Sequence, residues 1–273
     1  MTISKDIDTA QAFATSWNNL PPGSIYTFDQ FEDWMKPLCQ ENIENKDVLE
    51  LGCGNASLLV HLTKWNPKSI TGVDLGDSVI SAKNNLSKTN FRNHEIVKGD
   101  LTEYASEQKY DITYSIGVLH HLQEPKKGFD SVIKNTKDGG RFHCWVYAKE
   151  GNSVIIYIVD PIRKIVSSLP WWFTKYFVAA PLAFFYFLYA HSIVLLRFGF
   201  MPLYDYSRWI CKRGFLFFRH VAFDQLVTPQ TTYIDKITIE NWLKSDNRIA
   251  YDSTYIIMRN GNSWKFGGIR KSV

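Results

Sequence analysis

The chain has 273 residues, 45% of them hydrophobic and 21% charged, with a formal net charge of +4. That is enough apolar material for one sizeable core carrying an insertion. The absence of low-complexity tracts excludes a disordered chain, and so small a net charge makes no electrostatic case for nucleic acid. The four cysteines, Cys39, Cys53, Cys144 and Cys211, form no CxxC pair and no zinc spacing. They suit a reducing compartment and predict no metal site. The opening MTISKDIDTAQAF has no basic stretch followed by an apolar one, so no signal peptide is expected and the location is read as cytoplasmic.

Residues 1–46 are polar and aromatic, broken by Pro21-Pro22-Gly23, and are read as an N-terminal helical cap. Within them FDQFEDWMKPL places Phe28, Phe31, Trp34 and Met35 on one face of a helix beginning at Thr27. Residues 47–151 then alternate two kinds of segment. DVLELG, SITGVDL, HEIVKGDL, YDITYSIGVL and GRFHCWVYA read as strands; ASLLVHLTKW, DSVISAKNNLSK and PKKGFDSVIKNT read as helices. Such alternation predicts a parallel sheet covered by helices on both faces. The character changes at residue 152. Residues 160–220 hold 18 of the 41 aromatics, and eight Lys or Arg against two acids, Asp160 and Asp205. Residues 152–220 are therefore assigned to an aromatic insertion. In 221–273, IDKITIENWLKSD predicts a helix and YDSTYIIMRNGNSWKFGGIRK a hairpin about Asn260-Gly261.

The stretch VLELGCGNASLLV joins the first strand to the first helix of the core. Glycines at such a turn let backbone approach a ligand closely, and the helix beyond favours anionic groups. Asp74 ends the next strand, 20 residues past Gly54, where a carboxylate accepts hydrogen bonds from ribose hydroxyls. Ser57 stands where the dinucleotide fingerprint needs Gly or Ala, and Glu50 suits a cationic ligand better than a pyrophosphate. Both disfavour a nucleotide-dependent oxidoreductase.

Four stretches in order, VLELGCGNA, GVDLGDS, VKGDLTEY and YSIGVLHHL, resemble the class I S-adenosylmethionine (SAM)-dependent methyltransferases, of the group that includes quinone-biosynthesis enzymes. The resemblance covers residues 45–150. It implies a doubly wound, mostly parallel seven-stranded α/β sheet, with the helical insertion ahead of the C-terminal hairpin, and SAM as cofactor. By the match, Glu50, Gly52 and Gly54 line the methionine portion, Asp74 the ribose, Asp100 and Leu101 the adenine. Ile116 and Gly117 run along the cofactor. His120 and His121, just after the fourth strand, are the candidate general bases, and Tyr26, in WNNLPPGSIYTF, is a candidate contact to the SAM carboxylate or the acceptor.

YFVAAPLAFFYFLYAHSIVLL, residues 176–196, is 21 residues without a charge, the length of a membrane span. A single span would put the hairpin across the bilayer from the sheet it completes. The insertion is therefore read as a lid that selects the acceptor, with peripheral membrane contact through 160–220 as the alternative. The acceptor expected is a small or lipid-linked molecule, methylated on oxygen, with nitrogen or carbon as the alternatives. No nucleic acid is expected, and the non-enzymatic rival is a SAM-fold protein that only docks on membranes.

Overall fold

The computed structural model describes residues 2–18 and 26–272. Seven strands make one sheet: β1 (Asp47–Leu51), β2 (Ser69–Asp74), β3 (His94–Lys98), β4 (Tyr110–Ile116), β5 (Thr136–Tyr147), β6 (Ile249–Arg259) and β7 (Ser263–Arg270). Their order is β3-β2-β1-β4-β5-β7-β6, parallel throughout except for β7, which runs antiparallel to both its neighbours. This is the doubly wound, mostly parallel sheet that the resemblance implies. The strand order reverses between β1 and β4, and in such sheets that crevice is where ligands bind. All five residues of β1 are buried, as a strand covered on both faces requires.

The helices of the core follow from the same pattern. The N-terminal α1 (Thr2–Asn18) precedes α2 (Phe28–Met35). Thr27 starts α2 with a capping box: Gln30 N donates to Thr27 Oγ1 at 3.4 Å, and Thr27 N donates to Gln30 Oε1 at 3.0 Å. The face foreseen for α2 is the one that packs, with Phe31, Trp34 and Met35 buried. A short α3 (Gln40–Ile43) leads into β1. The helix after β1 is shorter than its sequence suggests: α4 covers Ser57–Leu62 and tightens to a 3₁₀ turn over Thr63–Trp65. α5 (Ser78–Ser87) and α6 (Pro125–Asn135) complete the core layers. In the C-terminal hairpin Asn260 (φ +51°) and Gly261 (φ +67°) take the left-handed conformations of a type I′ turn.

The aromatic insertion is helical: α7 (Asp160–Val166), α8 (Trp171–Leu195), α9 (Tyr204–Ile210) and α10 (Phe215–Val227). α10 runs past residue 220, so the insertion continues beyond the boundary its charge pattern suggests. It is packed by its own apolar clusters. Phe223, Leu226 and Val227 gather with Val166 and Ala179, and Phe217 and Phe218 with Ala183, Ala190 and Ile210. The chain leaves and re-enters the core at one point. Ala148 bridges Ile234, Lys149 N donates to Ile234 O at 3.1 Å, and Asn152 Nδ2 donates to the carbonyls of Ala148 and Asn262, each at 2.7 Å. Beyond this neck α11 (Lys236–Ser245) leads to β6.

Candidate active site

The glycine turn is built by a clash and an opening. Gly52 has φ +84°, and a Cβ there would lie 2.4 Å from Val118 Cγ2. Only glycine fits both the dihedral and the space. Gly54 has φ +52°, but a Cβ there would meet nothing within 4 Å, so its backbone borders open space. Asp74 ties the turn to β2: one carboxylate oxygen accepts from Gly54 N at 2.8 Å, the other from Gly76 N and Ser78 Oγ, each at 2.9 Å. Asp74 thus holds two loops together as well as facing the cavity.

A cavity of about 790 Å³ opens over this turn, within the size range of small-molecule sites. It brings together Tyr26, Glu50, Gly52, Gly54, Asp74, Asp100, Leu101, Ile116, Gly117 and His121, which is every candidate except one. Glu50 is 1% exposed. Tyr114 donates to its Oε2 at 3.2 Å, yet burial pushes its pKa up to about 8, against the lowering from Tyr114 and with a further rise from Asp74. Burial thus disfavours its charged form, and a cation beside it would relieve that desolvation cost. Asp100 fixes its own loop, one oxygen accepting from Thr102 N and Oγ1 at 2.8 and 2.7 Å. α1 borders the same cavity through Asp6, Thr9, Ala10 and Phe13. It is tied down where Asp6 Oδ1 accepts from Gln123 N and where Gln11 Nε2 donates to Asp77, both at 3.0 Å.

The exception is His120. It is fully buried, is absent from the cavity wall, and lies against Tyr147 with ring centroids 4.0 Å apart. Both its ring nitrogens lack a hydrogen-bond partner, and burial lowers its pKa well below the usual value. Its ring packs behind the cavity wall, so of the two candidate bases only His121 faces the cavity. The two histidines share one 3₁₀ turn, Leu119–His121, with ring centroids 4.1 Å apart, yet only His121 borders the cavity. Its Nδ1 lies 3.0 Å from the Gln230 carbonyl, so Nδ1 carries the proton and Nε2 the lone pair. Burial lowers its pKa to about 4, so the ring is neutral near pH 7. Tyr26 sits on the cavity wall with its ring edge-on to Trp34 at 4.6 Å. The rest of its stretch, residues 19–25, lies outside the described residues.

Sequence reasoning missed the far wall. Trp145 and Tyr147 share one face of β5 and border the cavity, as do Tyr206 on α9 and Asp224 on α10. Gln225 Nε2 donates to the Tyr147 hydroxyl at 2.8 Å. Burial first, with the Asp224 carboxylate adding to it, raises the pKa of Tyr26, Tyr147 and Tyr206. All three remain neutral phenols. The W-x-Y alternation in HCWVYA was visible as a signal; the approach of Asp224 was not, because it depends on how the insertion folds back.

Residues 42–152 match the family model described as a methyltransferase domain. With the seven-stranded sheet and its solved neighbours, this makes the fold that of the SAM-dependent methyltransferases. Among relatives, a tRNA U34 carboxymethyltransferase of Nautilia profundicola is 34% identical over 45% of this chain, and a ubiquinone biosynthesis O-methyltransferase of Hydrogenovibrio crunogenus is 29% identical over 39%. The matched stretches span only 40% and 43% of those relatives' own lengths. Magnesium protoporphyrin IX methyltransferase of Synechocystis, solved with bound SAH, superposes with a TM-score of 0.50 at 15% identity, covering 89% of this chain and 81% of that one. One of these relatives carries tRNA in its name, so the exclusion of nucleic acid expected from composition finds no support among them.

Proposed function

We propose that this protein is a methyltransferase that moves a methyl group from SAM to an oxygen of a small or lipid-linked acceptor. The observation that carries the reading is Glu50, a buried carboxylate with a raised pKa at the Gly52–Gly54 turn, in one cavity with Asp74 and Asp100. In this reading Glu50 receives the cationic amino group of the methionine portion, Gly54 leaves room for it, Asp74 holds the ribose and Asp100 the adenine. Leu101, Ile116 and Gly117 flank the cofactor. When bound, SAM supplies an already activated methyl group, so most of the rate enhancement comes from positioning and from excluding water.

The wall of Tyr26, Tyr147, Tyr206 and Asp224 receives the acceptor. Neutral phenols donate hydrogen bonds to its oxygens, and Asp224 or the Nε2 of His121 accepts from the hydroxyl to be methylated. A ring with a pKa of about 4 orients that hydroxyl and takes its proton late, as the C–O bond forms. A small-molecule acceptor is favoured over RNA because the excess positive charge lies in an apolar insertion and the far wall is lined by aromatic side chains.

Calorimetric titration with SAM, its demethylated product and NADH tests the reading. Binding of the first two at micromolar concentration, without NADH binding, is the expected result; a folded protein that binds neither would overturn it.

A further inference from the structure

The insertion has the wrong outside for a protein surface in water. Of the 23 exposed large apolar side chains among the described residues, 16 fall between residues 157 and 200. Solitary exposed apolar residues need no explanation, but a contiguous field of them marks an interaction surface. In α8 the pattern is periodic. Ala179, Ala183, Ala190 and Ile193 are buried against the other lid helices, while Phe177, Phe184, Leu188 and Leu195 stand outward at 63%, 49%, 49% and 82% exposure. The helix is apolar all round, yet only 22% of its most apolar window is buried. Such a helix belongs inside a core or a bilayer, and the described residues supply no core for its outer face.

Three features identify what covers it. The first is charge: Arg197, Arg208 and Lys212 are exposed in the same segment, against one exposed acid, Asp205, while Asp160 is paired with Arg163 and Lys164. Cations ringing an apolar surface complement anionic headgroups. A second copy of the chain seated on the same face would oppose cation to cation. The second is composition: Trp171, Trp172, Tyr157 and Tyr176 are exposed there, the amphipathic rings favoured at a membrane–water interface. The third is topology. α8 is about 37 Å long, enough to cross about 30 Å of hydrocarbon. But both ends of the insertion return to one neck at Ala148 and Ile234, and α10, at 13 residues, spans only about 20 Å on the way back. A transmembrane path is closed to it, which leaves a helix lying in the interface.

We propose that the outer face of the lid docks in the plane of an anionic lipid monolayer, with α8 sunk among headgroups and upper acyl chains. Phe185 and Pro202 are exposed on this face and also line the cavity, so the docked cavity opens toward lipid. Resting on the methyl-transfer reading, this makes the acceptor an amphiphile whose polar head reaches Tyr147 and Asp224 while its tail stays in the membrane.

Flotation with vesicles of phosphatidylcholine alone, and of phosphatidylcholine with an equal part of phosphatidylglycerol, tests the docking. The protein should float with the mixed vesicles and far less with the neutral ones. The triple variant Trp172→Glu, Phe177→Glu, Leu196→Glu should lower partitioning by about tenfold or more, since charge at an apolar surface opposes its burial. SAM titration of the same samples should be unchanged, which separates lost docking from lost folding. Wild-type protein that stays unfloated with both vesicles, or a triple variant that floats as well as wild type, would overturn the proposal. So would light scattering that shows a wild-type dimer split by the variant, with no vesicle binding. Flotation without SAM binding would leave docking intact and remove the methyltransferase reading instead.

Discussion

Glu50 and Asp74 occupy neighbouring strands but answer to different physics. Glu50 contributes through its lack of a cation: its replacement by Gln removes the charge that SAM's amino group would neutralise. Affinity should fall by about 1.5–3 kcal/mol, the range of hydrogen bonds to charged groups, with the fold unharmed or slightly firmer, as calorimetry and thermal melting together would report. Asp74 contributes to both. Asp74→Ala strands the amides of Gly54 and Gly76, so it should cost about 1–3 kcal/mol in folding as well as in SAM affinity; unchanged affinity in denaturant-tested, folded protein would remove it from the site. The two glycines should divide in the same way. Gly52→Ala meets Val118 and should lower the melting temperature by several degrees, for about 1–3 kcal/mol of strain. Gly54→Ala meets no atom but puts alanine in the left-handed region (φ +52°), so it should cost about 1–2 kcal/mol in folding as well as weakening ligand. His121→Ala should reduce turnover by about 10²-fold if its lone pair takes part, and the wild-type rate should show no inflection near pH 6.5.

At the scale of elements, legibility followed the range of the forces involved. β1 to β5 and the hairpin were readable because each is set by local periodicity and by turns such as Asn260-Gly261 that tolerate one backbone geometry. The cavity wall at the strand ends was readable because sheet topology dictates that address. The far wall was not. Tyr206 and Asp224 face the cavity only because α9 and α10 fold back over Trp145 and Tyr147, and no spacing in the sequence encodes that return. The histidine pair turns on a contact remote in sequence. Their rings lie 4.1 Å apart, and His121, the one that borders the cavity, is held by the Gln230 carbonyl, 109 positions away in the chain.

For the whole molecule, buried ionisable groups set the dependence of stability on pH. His121, His143 and His220 have pKa values lowered to about 4, each chiefly by burial, and His120 is shifted the same way. Between about pH 6.5 and 4 the unfolded chain takes up protons that the folded one refuses, so stability should fall as the solution is acidified through that window. Glu50 acts in the opposite sense. Its pKa is raised to about 8, so its stabilisation is complete below the ordinary carboxylate range and is lost as pH rises toward 8. The ligand-free protein should therefore melt highest near pH 6.5, and SAM should raise the melting temperature more at pH 8 than at pH 6. The neck at Ala148 and Ile234 has a consequence of another kind. An insertion whose two ends meet can be exchanged as a cassette, because a few residues close the gap at little loop-closure entropy. The strand ends around the Gly52–Gly54 turn are encoded outside the cassette, so evolution can replace the insertion without renegotiating the sheet.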